Sequence, residues 1–499
     1  MNEPSASSAP RLPRKPASLP RIFGYAMGEG GISITMNGIG NFAMLYFTQV
    51  LGLGPGMASL ALSITTFWDA ITDPVMGYVS DNTRTRIGRR HPFLIFGGLA
   101  LALSFYLLWY APQQMSGEWA VFLAVLVLNL LLRTAVTVFA VPFTALGFEI
   151  CPEYEARSRL QGIRFFVNMV VNFTFGAMAW VLFFPDSTDA AGERVDGALI
   201  AGNYLDMALT LSSFVVLLAA VCIFSTWKYA KATNAGARDS KVGLKGFWKD
   251  FVSIFKDRLA LFVFAFFMVA QLAMMMMGQI QMFTYVFFME FASAEKTVVH
   301  GAGMLAFAGC SLWQSRLVHR FDKKKTGFIG GAIALFGGLS LYAVFIGGLL
   351  DPQAEFDLAG RTIPLAVIAF AALQACWWGG CGMLVPLASS MIADVAAINH
   401  VKTGKLKNAG YASVFTFCQK TSISIGLIIV GWLVGMAGIE SGADRQTPEA
   451  TRNIAILTFL SGPVVITVAL FILARYPVDR EYMKEINAKS EALSAEENQ

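Results

Sequence analysis

Charged residues make up only 14% of this sequence, against about 25% in soluble globular chains. A deficit of that size excludes an ordinary soluble domain and leaves a membrane as the natural solvent. Histidine is scarce as well. His91, His300, His319 and His400 stand singly near the ends of apolar runs, which predicts no histidine metal cluster. The six cysteines, Cys151, Cys222, Cys310, Cys376, Cys381 and Cys418, show neither zinc spacing nor a disulfide framework. No nucleophile–histidine pairing is visible and no soluble output domain adjoins the apolar runs, so an enzyme and a membrane sensor are the least favoured classes. The first 21 residues, MNEPSASSAPRLPRKPASLPR, are polar, basic and Pro-rich. No short apolar region with a small-residue cleavage site follows, which predicts that no cleavable signal is present. The net charge of +5 calls for no nucleic-acid partner, because loop asymmetry accounts for it.

What is abundant is apolar length. Hydrophobic residues reach 56%, and the mean hydropathy is +0.57. Twelve apolar runs fall near 23–50, 55–80, 92–111, 119–147, 161–184, 204–227, 259–289, 298–315, 327–349, 363–394, 409–437 and 453–474. Each is long enough to cross a hydrocarbon core of about 30 Å. The expected fold is an all-α polytopic membrane protein with twelve transmembrane helices. Of the 38 Lys and Arg, thirty lie in the two tails and the connections that follow even-numbered spans; five lie in the opposite loops. By the positive-inside bias both termini are expected in the cytoplasm.

The longest inner connection divides the chain. The expected plan is an N-tail over 1–22, a six-helix bundle over 23–227, a cytoplasmic linker over 228–258, a second six-helix bundle over 259–474 and a C-tail over 475–499. In the linker, Leu244, Phe247, Trp248, Phe251, Ile254 and Phe255 alternate with lysines; this reads as an amphipathic helix on the inner surface or as a solvated link. The halves also echo each other. GYVSDNTRTRIGRR follows the second span and SRLVHRFDKKKTG follows the eighth, which is what a duplicated transporter predicts.

Ionisable groups inside the spans are the functional candidates, since each costs at least about 3 kcal/mol at mid-bilayer. Asp69 and Asp73 stand four apart on one face of the second helix, with Thr72 beside them. Two acids this close favour either a shared proton or a small cation between them; the alternative is a cap on the kink at Pro74 or a pair with a basic neighbour. Arg133 is the best such neighbour, because it and Asp69 each lie fourteen residues past the outer end of their spans. It shares one helical face with Thr137, Ala140 and Thr144, a face expected to line water. Arg133 is then either a structural ion-pair partner or a group that exchanges partners during transport. Arg164 either snorkels to the inner surface or serves the substrate. Lys420 lies deeper, on a face with Ser413, Thr416 and Ser424. Asn37 and Asn41 face one way and suit a polyhydroxyl solute, while Glu29 reads as a gating or packing acid. Trp377 and Trp378 suit either sugar stacking or packing, and MMMMGQIQM at 274–282 reads as adaptable packing, with Gln279 and Gln281 as weaker pore candidates.

WDAITDPVMGYVSDNTRTRIGRRHP, from Trp68 to Pro92, resembles the signature of the glycoside–pentoside–hexuronide:cation symporters of the major facilitator superfamily. VPFTALGFEICPEYEARSRLQGIRFF (Val141 to Phe166), MIADVAAIN (Met391 to Asn399) and AGYASVFTFCQK (Ala409 to Lys420) agree, so the likeness covers most of the chain. It implies two six-helix bundles around a cavity that opens alternately to each side. It places a cation site on Asp69, Thr72, Asp73 and Thr137, a sugar-contacting arginine at Arg164, and substrate contacts at Thr416 and Lys420. The inner turn, with Asp81, Arg84, Arg89 and Arg90, would latch the bundles. Ala140, Thr144 and Val385 replace an acid and two aromatics of the family's melibiose permease, so the cation site matches and the galactoside site does not. Arg133 has no counterpart in the pattern.

The sequence therefore predicts a secondary active transporter of the plasma (cell inner) membrane. It would couple a cation, Na+ or H+, to a sugar or glycoside by symport. The alternative is a non-sugar organic solute or a lysophospholipid carried on the same fold. Asn37, Asn41, Arg133, Thr144, Arg164, Trp378, Thr416 and Lys420 are the candidate substrate contacts. No cofactor, no metal beyond Na+ and no nucleic acid is expected. The expected partners are a small-molecule substrate and the lipid bilayer, and the chain is expected to be a monomer.

Overall fold

The computed structural model describes residues 17–151, 153–188, 192–230, 251–358, 361–403, 408–443 and 445–497, and they are mostly helical. The helices are α1 (Leu19–Leu45), α2 (Pro55–Asn82), α3 (His91–Tyr110), α4 (Glu118–Ile150), α5 (Tyr154–Val171), the short α6 (Ala179–Phe183) and α7 (Ala201–Thr226). They continue as α8 (Arg258–Phe283), α9 (Ser293–Phe321), α10 (Lys323–Leu341), α11 (Leu365–Thr403), α12 (Asn408–Met436), α13 (Pro448–Ala474) and α14 (Arg480–Glu497). Two small antiparallel hairpins interrupt them: β1 (Ser187–Thr188) with β2 (Arg194–Val195), and β3 (Phe356–Leu358) with β4 (Arg361–Ile363). Much of the predicted linker helix, including Leu244, Phe247 and Trp248, lies outside the described residues. Phe251 is described, and it meets the Phe417 ring edge-on at 5.4 Å.

Among the described residues, eight helices are long and apolar enough to cross a membrane: those beginning with α3, α4, α7, α8, α10, α11, α12 and α13. Helices α1, α2, α5 and α9, each of which carries an expected span, fall outside that set, and in α1, α2 and α5 the reason is physical. Those three hold Glu29, Asn37 and Asn41, Asp69, Thr72 and Asp73, and Arg164, whose polarity lowers the hydropathy of their helices.

By contacts the chain clusters into two units. The first comprises residues 1–43, 67–176 and 200–240. There α3 packs against α4 and α7 through glycines. A Cβ on Gly97 would lie 3.0 Å from the Phe139 nitrogen, and one on Gly98 3.0 Å from the Ala219 Cβ. Tyr25 of α1 crosses α4 at Gly147 and donates its hydroxyl to the Phe143 carbonyl at 2.8 Å. Small residues permit this closeness, and close contact is what holds helices together in lipid.

The second unit comprises residues 44–66, 177–199 and 241–499. Its centre is α11, which runs along α9 and α10. A Cβ on Gly380 would stand 2.4 Å from the Gly330 carbonyl, and one on Gly382 2.3 Å from the Phe307 carbonyl. Trp377 is fully buried, and its ring fills the space left by Gly462 of α13. The two echoing turns share a backbone device: Gly88 precedes α3 with φ +88° and Asp322 precedes α10 with φ +79°. With ψ 160° Asp322 occupies a region that is usually left to glycine, and its carboxylate accepts the Lys323 amide at 2.6 Å.

Candidate functional site

Asp69, Thr72 and Asp73 stand on α2, and Arg133 and Thr137 face them from α4. Arg133 Nη1 donates to Asp69 Oδ2 at 2.9 Å. Asp69 is 4% exposed and Arg133 7%, so the pair is formed away from bulk water. Equal depth counted along two spans that run in the same direction anticipated this contact. One turn further along both helices, Thr137 Oγ1 donates to Asp73 Oδ1 at 2.9 Å and lies 3.4 Å from Thr72 Oγ1. The four residues implied for a cation site are thus brought together, with Arg133 added. Arg133 also touches Met36 of α1, at 3.8 Å from its sulfur.

A second polar structure joins α1 to α5. Arg164 binds Glu29 at 2.6 Å, Asn168 Nδ2 donates to Ser33 Oγ at 2.7 Å, and Asn37 Nδ2 donates to Asn172 Oδ1. Each rung spans 135 residues, and successive rungs advance four residues on both helices, so the helices run parallel with one rung per turn. Asn172 Nδ2 donates in turn to Asn168 Oδ1 at 2.9 Å, tying two rungs together. The guanidinium of Arg164 lies over the Phe143 ring at 4.9 Å. Continuing the spacing would set Asn41 against Gly176, which has no side chain to offer. The amide nitrogen of Asn41 is buried there without a hydrogen-bond partner in the structure, and α5 widens into a π turn over Asn172–Ala177.

Beside the seam is a cavity of about 410 Å³ lined by Glu29, Gln161, Arg164, Phe165 and Asn168. Four of the five lining side chains are polar. Sequence reasoning missed Ser33, Asn168, Asn172 and Gln161. The signal was present as two i, i+4, i+8 polar series, Glu29/Ser33/Asn37 and Arg164/Asn168/Asn172.

At the basic turn, Arg90 donates to Asp81 at 2.5 Å, Ser80 at 2.7 Å and Glu149 at 2.9 Å, while Arg89 reaches Glu149 at 2.7 Å. Arg84 is exposed. The second half repeats the device, with Lys323 on Asp394 at 2.5 Å. The acid on the fourth helix and its match on α11 were missed, because each lies far along the chain from the turn it binds. Thr144 is half-buried near Phe143. Trp378 lies against Gly278 and Gly303 and meets Phe307 edge-on at 6.4 Å. In the second unit, Thr416 is exposed and donates to the Ala412 carbonyl at 3.1 Å, and Lys420 is half-buried one turn further along α12.

Apolar helices that carry paired charges, amide rungs and a polar cavity are the build of a membrane transporter, not of an enzyme. The family model described as MFS/sugar transport protein matches residues 24–480. The chain belongs to that family and is a multi-pass membrane transporter of the major facilitator type. YagG of Escherichia coli (strain K12), named for glycoside/cation symport, is 25% identical over 473 residues, 94% of this chain and 93% of that protein. Sodium-dependent lysophosphatidylcholine symporter 1 of Xenopus tropicalis is 23% identical over 525 residues, 100% of this chain and 94% of its own. The crystal structure of nucleoside transporter NupG aligns with a TM-score of 0.59 at 12% identity, over 92% of this chain and 100% of the other. That likeness concerns the fold alone.

Proposed function

We propose that this protein is a secondary active symporter that moves a neutral sugar or glycoside with a cation, Na+ or H+. Twelve spans in two six-helix bundles with both termini in the cytoplasm would carry it by alternating access in the plasma membrane. The observation that carries the reading is the acid pair Asp69/Asp73, gathered with Thr72 and Thr137 between α2 and α4. An acid pair whose charge balance changes with cation occupancy gives a transporter its coupling.

The seam supports a neutral, hydroxyl-rich solute. Arg164 and Glu29 neutralise each other, so the cavity presents balanced charge, amides and the Phe165 ring. Hydroxyls need donors and acceptors close together, which these groups supply. The orphan amide of Asn41 is a further donor, and a buried donor without a partner is costly until a ligand or water satisfies it. About 410 Å³ suits a small solute. A lysophospholipid is the second reading, favoured by the full-length match to a symporter named for one; the polar lining weighs against it.

Uptake in membrane vesicles tests the proposal. A panel of mono- and disaccharides and a lysophospholipid would be offered under imposed Na+ or H+ gradients. Accumulation of a sugar above equilibrium under one gradient is expected. Gradient-independent equilibration of every sugar, or accumulation of the lysophospholipid alone, would overturn it.

A further inference from the structure

Where the family resemblance implies a mobile cation, this chain already holds a cation of its own. Arg133 Nη1 sits 2.9 Å from Asp69 Oδ2, and both side chains are buried. A guanidinium stays protonated at any pH a protein meets, so this charge is permanent. It projects from α4, four residues before Thr137, and so faces the acid pair from the helix that completes the implied cation site. Its reach to Met36 shows that α1 packs against the same group.

We infer that Arg133 acts as a tethered cation at the acid pair, so that sodium does not bind there and transport is sodium-independent. The inference rests on reading Asp69/Asp73 as the coupling site. A sodium ion needs several oxygen ligands at short range, and Asp69 is one of the two carboxylates on offer. Its Oδ2 is engaged by the guanidinium. A sodium ion on the same carboxylate would stand within a few ångström of a second fixed positive charge, where little water screens the two. Charge balance gives the same answer. The Asp69 carboxylate already has from the guanidinium the neutralisation that a bound sodium would bring. The chain would thereby differ from the relative named for sodium dependence.

Sodium binding to the purified transporter, measured by titration calorimetry or with radioactive sodium and no sugar present, tests this directly. Wild-type protein is expected to show no saturable sodium binding. Arg133→Ala should gain it, with affinity raised about tenfold or more, as expected when a like charge is removed within contact range. Adding Asp69→Asn to Arg133→Ala should abolish the gain, and Arg133→Lys, which keeps the charge, should stay sodium-silent. Saturable binding by the wild type, or an Arg133→Ala protein that elutes as a single species yet binds no sodium, would overturn the inference. Because the readout needs neither sugar nor gradient, it fails or succeeds separately from the symport proposal.

Discussion

Asp73 accepts a hydrogen bond from Thr137 at 2.9 Å, while its neighbour one turn away faces a guanidinium. The two acids therefore have different duties on the proposed mechanism, and substitution separates them. Asn at position 73 can still accept from Thr137 through its amide oxygen, but its charge cannot change. Asp73→Asn should fold normally and lose accumulation against a gradient, while exchange of substrate across the membrane persists. Undiminished accumulation by a well-expressed variant would remove Asp73 from the coupling site. Lys420 calls for a different readout. A charge-assisted hydrogen bond to substrate contributes about 1.5–3 kcal/mol, so Lys420→Ala should weaken substrate binding tenfold or more in a direct binding assay. Unchanged affinity would assign the lysine a structural role on α12.

Between elements, the seam of α1 and α5 converts a pattern within each helix into a contact between two. Glu29 and Arg164 are both mostly buried, with side chains 17% and 15% exposed. Removing one partner leaves the other as an uncompensated charge, which costs about 3 kcal/mol in buried pairs. Arg164→Gln should therefore lower the midpoint of thermal unfolding in detergent, and Glu29→Gln added to it should restore most of the loss. If the double variant is no more stable than the single one, the pair does not hold these helices. Each half of the seam was legible as a polar series along one helix, and so was the meeting of Arg133 with Asp69, because equal depth can be counted along two spans. Rung pairing was not legible, since a sequence shows the face of a helix but not which neighbour it meets. Trp378 shows a related limit. Tandem tryptophans suggest stacking on a sugar or packing, whereas the glycines that give the ring of Trp378 its seat lie on α8 and α9, about 100 and 75 residues earlier respectively.

At the scale of the whole chain, segments from the first half of the sequence, 44–66 and 177–199, belong to the same unit as 241–499. The contacts that place them there are polar and specific. Ser63 and Ser424 share a hydrogen bond of 2.7 Å, the Gly442 amide donates to the Thr48 carbonyl at 3.0 Å, and Arg194 donates to the Glu290 and Phe291 carbonyls at 2.7 Å. Lys296 anchors the set: it is fully buried, binds Asp196 and lies 5.2 Å from the Trp180 ring centre. Burial lowers the pKa of its ammonium, against the upward pull of Asp196, so the charged form is held by its partner and not by solvent. On the alternating-access proposal these contacts close the outer end and must part in the opposite state. Lys296→Met with Asp196→Asn removes both charges and leaves neither stranded. In a background lacking the six native cysteines, a cysteine at Ser424 should then react faster with a membrane-impermeant thiol reagent. A lost contribution of about 1.4 kcal/mol to the closed state corresponds to a tenfold rise in the exposed population, and labelling should rise in proportion. Labelling equal to the background protein's would mean that Lys296 stabilises its unit without governing which state the transporter occupies.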